Sequence, residues 1–81
     1  MSVLFVDVRT KEEYEARHMT GSVNISVEDI VTSDLGILET LAKNTPIRLY
    51  CRSGARSERA KEILLSYGFT DVVNIGGLED I

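Results

Sequence analysis

Several residue types that stabilise small domains are scarce in this chain. Its 81 residues contain no tryptophan, one proline, one cysteine and one histidine, His18. One cysteine cannot form an internal disulfide, and one cysteine with one histidine cannot supply the four ligands of a usual structural zinc site. We therefore expect a domain that holds no metal or other cofactor and is stabilised by its apolar core.

The sequence also lacks the features of membrane and nucleic-acid binding proteins. No apolar run approaches the ~20 residues of a membrane span, and the N-terminus has neither a basic start nor an apolar signal region. The net charge of -4 and the few aromatic side chains exclude a general basic surface with stacking platforms for nucleic acid. We expect a soluble protein, cytoplasmic or, if a leader has been removed, periplasmic.

Short apolar runs alternate along the chain with segments of helical periodicity. Strands are predicted at residues 3–6, 22–25, 46–50 and 71–75, and helices at residues 11–17, 27–30, 34–43 and 57–67. Short connections between alternating strands and helices favour right-handed crossovers. With 43% apolar content, the 81 residues predict one α/β domain over residues 1–81, a small parallel sheet with helices on both faces.

The lone cysteine lies in the segment Tyr-Cys-Arg-Ser-Gly-Ala-Arg-Ser, residues 50–57, between a predicted strand and a helix that is predicted to begin near Ser57. Free backbone N–H groups and the dipole of a helix N-terminus favour a thiolate, which is the reactive form of cysteine. The stretch 51–61 has one acidic side chain, Glu58, and four basic ones, Arg52, Arg56, Arg59 and Lys61. A small anion site around a reactive Cys51 is therefore favoured over the common buried, inert cysteine.

Other polar residues and glycines are expected at the same edge, because ligands bind outside the carboxyl ends of parallel strands. We expect Asp7 and Arg9 to form an ion pair that supports the strand edge without taking part in catalysis. Gly76 and Gly77 would allow the backbone to approach closely and are candidate pocket walls. Thr10 with Glu13 three residues later forms a capping box, and His18 is expected to bond to backbone in its own turn.

Three groups of residues carry a family resemblance. Asp7-Val8-Arg9, Glu13-Tyr14 and His-Met-Thr-Gly-Ser-Val-Asn-Ile at residues 18–25 resemble the opening signature of rhodanese domains, and the cysteine loop with Gly76-Gly77-Leu78 resembles the rest. The resemblance covers essentially the whole chain and is greatest to single-domain rhodaneses of the phage-shock-protein-E type. It implies the rhodanese three-layer fold. The chain differs in Arg17, in Met19-Thr20 and in the missing tryptophan after the double glycine.

The resemblance implies a thiosulfate sulfurtransferase that works through a persulfide on Cys51. It implies that the donor anion is bound by the loop residues Arg52, Ser53, Gly54, Ala55, Arg56 and Ser57. Arg59 is a further candidate for the pocket wall, although it could equally be a solvated helix residue. The expected partners are a small anionic sulfur donor and a thiophilic acceptor such as cyanide, and we expect a monomer.

Two alternatives stay open. The chain could be a persulfide carrier or interaction module that exchanges sulfur with a protein partner instead of using a small donor. Less favoured is a cysteine phosphatase or arsenate reductase, since such enzymes have a loop one residue longer than the one between Cys51 and Arg56.

Overall fold

A four-stranded parallel sheet forms the centre of the molecule in the computed structural model, which describes residues 3–81. The strands are β1 (Leu4–Asp7), β2 (Val23–Asn24), β3 (Ile47–Cys51) and β4 (Val72–Gly77), and the helices are α1 (Lys11–Ala16), α2 (Val27–Val31) and α3 (Ala55–Ser66). Two short 3₁₀ helices cover Gly36–Thr40 and Leu78–Asp80. The strand order is β2-β1-β3-β4 with every pair parallel, which confirms the predicted fold class.

One face of the sheet carries the apolar core. Val6 and Leu49 are completely buried there, and Ile30 from α2 and Leu64 from α3 pack into the same cluster. Each such aliphatic side chain contributes about 1.5–3 kcal/mol on burial. Because Cys51 belongs to this cluster too, the core fixes the end of β3 against α3.

The opposite face of the sheet is covered at the carboxyl end of β3 by the segment that follows α1. The side chain of Tyr50 is completely buried. Its hydroxyl accepts the backbone N–H of Met19 at 3.0 Å and lies 3.1 Å from the hydroxyl of Ser22. Val73 on β4 is still 41% exposed, so the cover does not extend over the whole face.

The structure differs from the sequence expectations in two helices and in the end of one strand. The helix expected over residues 34–43 is only a 3₁₀ turn, because Gly36 has a φ of +57° and interrupts the α-helical path, although Leu38 is buried as the periodicity predicted. Helix α3 begins at Ala55 and not near Ser57. Strand β4 continues through Gly77, two residues beyond the expected end.

Residues 1 and 2 of the predicted domain lie outside the described part of the chain. Within residues 3–81, no helix is long and apolar enough to cross a membrane.

Candidate active site

The cysteine loop connects the end of β3 to the first turn of α3. Cys51 is the last residue of the strand, and Gly54 is the N-cap of the helix. Gly54 has a φ of +96°, a left-handed conformation that glycine adopts at little cost. This conformation turns the chain within three residues and places the N-terminus of α3 over the sulfur of Cys51.

The sulfur of Cys51 is surrounded by hydrogen-bond donors. The backbone N–H of Gly54 donates to Sγ at 2.9 Å, and the Ser57 hydroxyl lies 3.4 Å from the same atom. Both Cys51 and Ser57 are completely buried. Burial acts to raise the pKa of the Cys51 thiol, but hydrogen bonds from the Ser57 hydroxyl and from the backbone of Ser57, Ser53 and Gly54 outweigh it and lower that pKa. The loop therefore favours a thiolate, as the sequence predicts.

Asn74, on strand β4, holds the cysteine loop through side-chain hydrogen bonds. Its side-chain oxygen accepts the Ser57 hydroxyl at 2.7 Å and the N–H of Gly76 at 2.9 Å, and its side-chain nitrogen donates to the carbonyl of Gly54 at 3.0 Å. No sequence motif marks Asn74. Its only signal is its place on a predicted strand two residues before the double glycine.

The double glycine lies against the loop backbone. Cys51 and Gly77 are paired across β3 and β4. A Cβ atom at position 77 would overlap the carbonyl oxygen of Arg52, so this position requires glycine. A Cβ at Gly54 would in turn lie 3.6 Å from the Cα of Gly76. The expected close approach of Gly76 and Gly77 to the cysteine loop is confirmed.

Arg56 is bound by a carboxylate from α1. Its two terminal nitrogens donate to Glu13 at 2.7 and 3.1 Å. Glu13 also forms the predicted capping box with Thr10. The hydrogen bond with Arg56, followed by that from the Thr10 backbone, lowers the pKa of the Glu13 carboxyl to about 2. The same pair raises the pKa of Arg56. Glu13 therefore caps α1 and also pairs with Arg56, the last arginine of the loop, whose positive charge it partly cancels.

Arg52 borders a cavity of about 470 Å³ at the edge of the sheet. The cavity is also lined by Arg9, Glu13, Ala16, Arg17, Leu78 and Glu79. Arg52, Ser53 and Ala55 lie on the outer side of the loop and are exposed, whereas Ser57 is buried. Arg59 lies elsewhere, beside Arg56 in a second cavity between α2 and α3.

The expected ion pair between Asp7 and Arg9 is present and buried. Arg9 donates to the two oxygens of Asp7 at 2.7 to 3.1 Å, and its guanidinium also reaches the carbonyl of Arg17. His18 bonds to the carbonyl of Tyr14 at 2.7 Å and stacks on the Tyr14 ring, as expected for a residue of the turn. The contacts of Arg9 with Asp7 and Arg17 fix one part of the wall of the Arg52 cavity.

These observations define a structural class, a parallel α/β domain whose cysteine lies at the end of a strand and under the N-terminus of the next helix. The family model for the rhodanese-like domain matches residues 1–81. The chain belongs to the rhodanese-like domain family.

Relatives of known name are similar over almost the whole chain. Thiosulfate sulfurtransferase PspE of Escherichia coli K12 is 38% identical over 77 residues, which cover 95% of this chain and 72% of that protein. The putative sulfur carrier protein YrkF of Bacillus subtilis is 35% identical over 91% of this chain but only 38% of its own length. A solved structure described as a rhodanese with anions from E. coli has a TM-score of 0.86 and 36% identity, covering 99% of this chain and 92% of that one.

Proposed function

We propose that this chain is a thiosulfate sulfurtransferase with Cys51 as its nucleophile. The observation that carries the proposal is the sulfur of Cys51 under the N-terminus of α3, with the Gly54 N–H at 2.9 Å and the Ser57 hydroxyl at 3.4 Å. Donors in this arrangement stabilise negative charge on sulfur before and after transfer. The similarity to the E. coli thiosulfate sulfurtransferase supports the choice of donor.

The reaction proceeds in two steps. The Cys51 thiolate attacks the outer sulfur of thiosulfate, the S–S bond of the donor breaks, and sulfite leaves with the bonding electron pair. A persulfide remains on Cys51. A thiophilic acceptor such as cyanide then attacks the terminal sulfur, leaves as thiocyanate and regenerates the thiolate.

The loop residues divide between sulfur and donor. Gly54 and Ser57 stabilise the sulfur, because the Gly54 N–H and the Ser57 hydroxyl both lie against it. Arg52 is the donor-binding guanidinium, because it is exposed and borders the cavity, with Ser53 and Ala55 beside it. Arg56 contributes positive charge that Glu13 partly cancels. Because Cys51 is itself completely buried, neighbouring groups must move before a donor can reach its sulfur.

Intact-mass spectrometry tests the proposal. Incubation of the wild-type protein with thiosulfate should add one sulfur atom, and later addition of cyanide should remove it with release of thiocyanate. The Cys51→Ser variant, the matched control, should gain no sulfur. Absence of sulfur on the wild-type protein after incubation with thiosulfate would reject the thiosulfate reaction.

The second candidate function is a persulfide carrier that receives sulfur from a protein donor. The similarity to the putative sulfur carrier protein YrkF supports it. In this case Cys51 should gain sulfur from a cysteine desulfurase with cysteine as its substrate, but not from thiosulfate. The same mass measurement therefore separates the two functions.

A further inference from the structure

Two of the residues that contact the Cys51 sulfur, Gly54 and Ser57, share a neighbour on β4. Gly54 donates its backbone N–H to Sγ and Ser57 places its hydroxyl beside it. The side-chain amide of Asn74 bonds to both of them, to the Gly54 carbonyl at 3.0 Å and to the Ser57 hydroxyl at 2.7 Å. One side chain outside the loop thus holds both the Gly54 N–H and the Ser57 hydroxyl in their places at the sulfur.

We propose that Asn74 is a positioning residue for the Cys51 thiolate, which it serves by holding the Gly54 N–H and the Ser57 hydroxyl at the sulfur. An amide suits this place because it offers a donor and an acceptor on the same side chain. The inference rests on the proposed function, in which the thiolate is the attacking species. Asn74 touches neither the sulfur nor the donor and acts only through Gly54 and Ser57.

The Ser57 hydroxyl can change acceptor without moving Asn74. With a neutral thiol, its hydrogen is directed to Asn74 at 2.7 Å or to the Gly54 carbonyl at 3.1 Å. When Cys51 ionises, the sulfur becomes the charged acceptor and draws the hydroxyl. The Asn74 oxygen still accepts the N–H of Gly76 at 2.9 Å, so the amide is held in both states.

Charged side chains also surround the loop, and of these Arg56 interacts with the charge of Cys51. They come from the loop, from the strand edge of β1, from α1, from α3 and from the C-terminal 3₁₀ helix: Arg52, Asp7, Arg9, Glu13, Arg56, Glu58 and Asp80. Glu58 is the one among them that accepts from Asn74, at 3.1 Å. None of these charges is removed when Asn74 is replaced by a neutral residue, although Glu58 loses its hydrogen bond from the amide. A shift in thiolate formation therefore reports the loss of the hydrogen bonds of the amide, including the one to Glu58.

The test is a pH titration of the Cys51 thiolate by its ultraviolet absorbance, taken as the difference from Cys51→Ser. Asn74→Leu fills the space without hydrogen bonds, and Asn74→Ala removes the amide where leucine does not fit. In both we expect the midpoint to rise by about one pH unit, as when a charged group loses a hydrogen bond. Val73→Thr, a change at the neighbouring exposed residue, should leave the midpoint in place.

A double-mutant comparison shows whether Asn74 acts through Ser57. The rise in the midpoint caused by Asn74→Ala should be smaller in a Ser57→Ala background. In that background the effect through the Ser57 hydroxyl is already lost, and only the effect through Gly54 remains. A midpoint that stays unchanged or falls in a folded Asn74 variant would overturn the proposal, since Asn74 would then be structural only or would withdraw the hydroxyl from the sulfur. The titration uses no sulfur donor, so its result is independent of whether thiosulfate is the substrate.

Discussion

At the scale of single residues, Glu13 is notable for the number of donors it accepts. Its carboxylate receives the backbone N–H and the hydroxyl of Thr10 as well as both ends of the Arg56 guanidinium. The contacts with Thr10 cap the start of α1. The contacts with Arg56 partly cancel the positive charge of the cysteine loop. The same side chain therefore affects both folding and the electrostatics of donor binding.

Glu13→Gln should strengthen the binding of an anionic donor. Glutamine can still cap α1, but it leaves the charge of Arg56 uncancelled beside the loop. We expect the KM for thiosulfate to fall about threefold at low ionic strength, with a smaller effect as salt is added. Glu12→Gln removes the same charge from an exposed position of α1 and is the matched control. A KM that is unchanged at low salt would show that Arg56 does not act on the donor.

Sequence motifs predict the loop residues but not their supports. Cys51, Arg52 and Gly54 lie within four consecutive residues, so their pattern is visible in one segment. The pairing of Glu13 with Arg56 joins residues 43 positions apart, and that of Ser57 with Asn74 joins residues 17 apart. Such contacts depend on the order of strands in the sheet, which a local pattern does not contain.

At the scale of elements, the start of α3 decides where the loop N–H groups point. Gly54 is the N-cap with a φ of +96°, and its carbonyl accepts the first helical hydrogen bond from Glu58 at 3.0 Å. Because the helix begins directly after Gly54, the N–H groups of its first turn have no partner inside the helix. They are therefore available to the sulfur.

Gly54→Ala should weaken both folding and sulfur uptake. A left-handed φ costs a residue with a Cβ about 1 kcal/mol, and relaxing it would move the N–H that contacts Sγ. Gly21→Ala is the control, because Gly21 has a φ of +88° with open space around its missing Cβ. Urea unfolding should show a similar loss for both variants, whereas the rate of sulfur uptake from thiosulfate should fall only in Gly54→Ala. Equal uptake rates would show that the loop tolerates this change.

Periodicity predicts elements better than it predicts their type or ends. The spacing of Leu35, Leu38 and Leu41 fits an α-helix, yet the segment folds as a 3₁₀ turn that still buries Leu38. Gly36 adopts a positive φ there, and apolar spacing does not show which glycine will do so. Apolar spacing likewise does not show where α3 begins, because its start is set by the left-handed Gly54.

At the scale of the whole molecule, α1 is attached mainly by polar contacts. None of its residues is buried. The helix is held by the pairing of Glu13 with Arg56 and by the Tyr14 hydroxyl, which donates to the Ser22 carbonyl at 2.6 Å. By contrast, α2 and α3 bury Ile30 and Leu64 in the core. Conditions that weaken charge pairing should therefore loosen α1 before the rest of the chain.

Acid should weaken the attachment of α1, because it protonates Glu13. Its pKa is about 2 in the folded protein against an ordinary 4.5, so between these values the unfolded chain binds more protons at this site. The stabilisation is complete above 4.5 and is lost as the pH falls through about 2. In urea unfolding at several pH values, the free energy of unfolding should fall less steeply with acid in Glu13→Gln than in the wild type or in Glu15→Gln, an exposed control on α1. Parallel curves for all three would mean that the pairing with Arg56 contributes nothing to stability, so α1 would have to be held by its cap and Tyr14 alone.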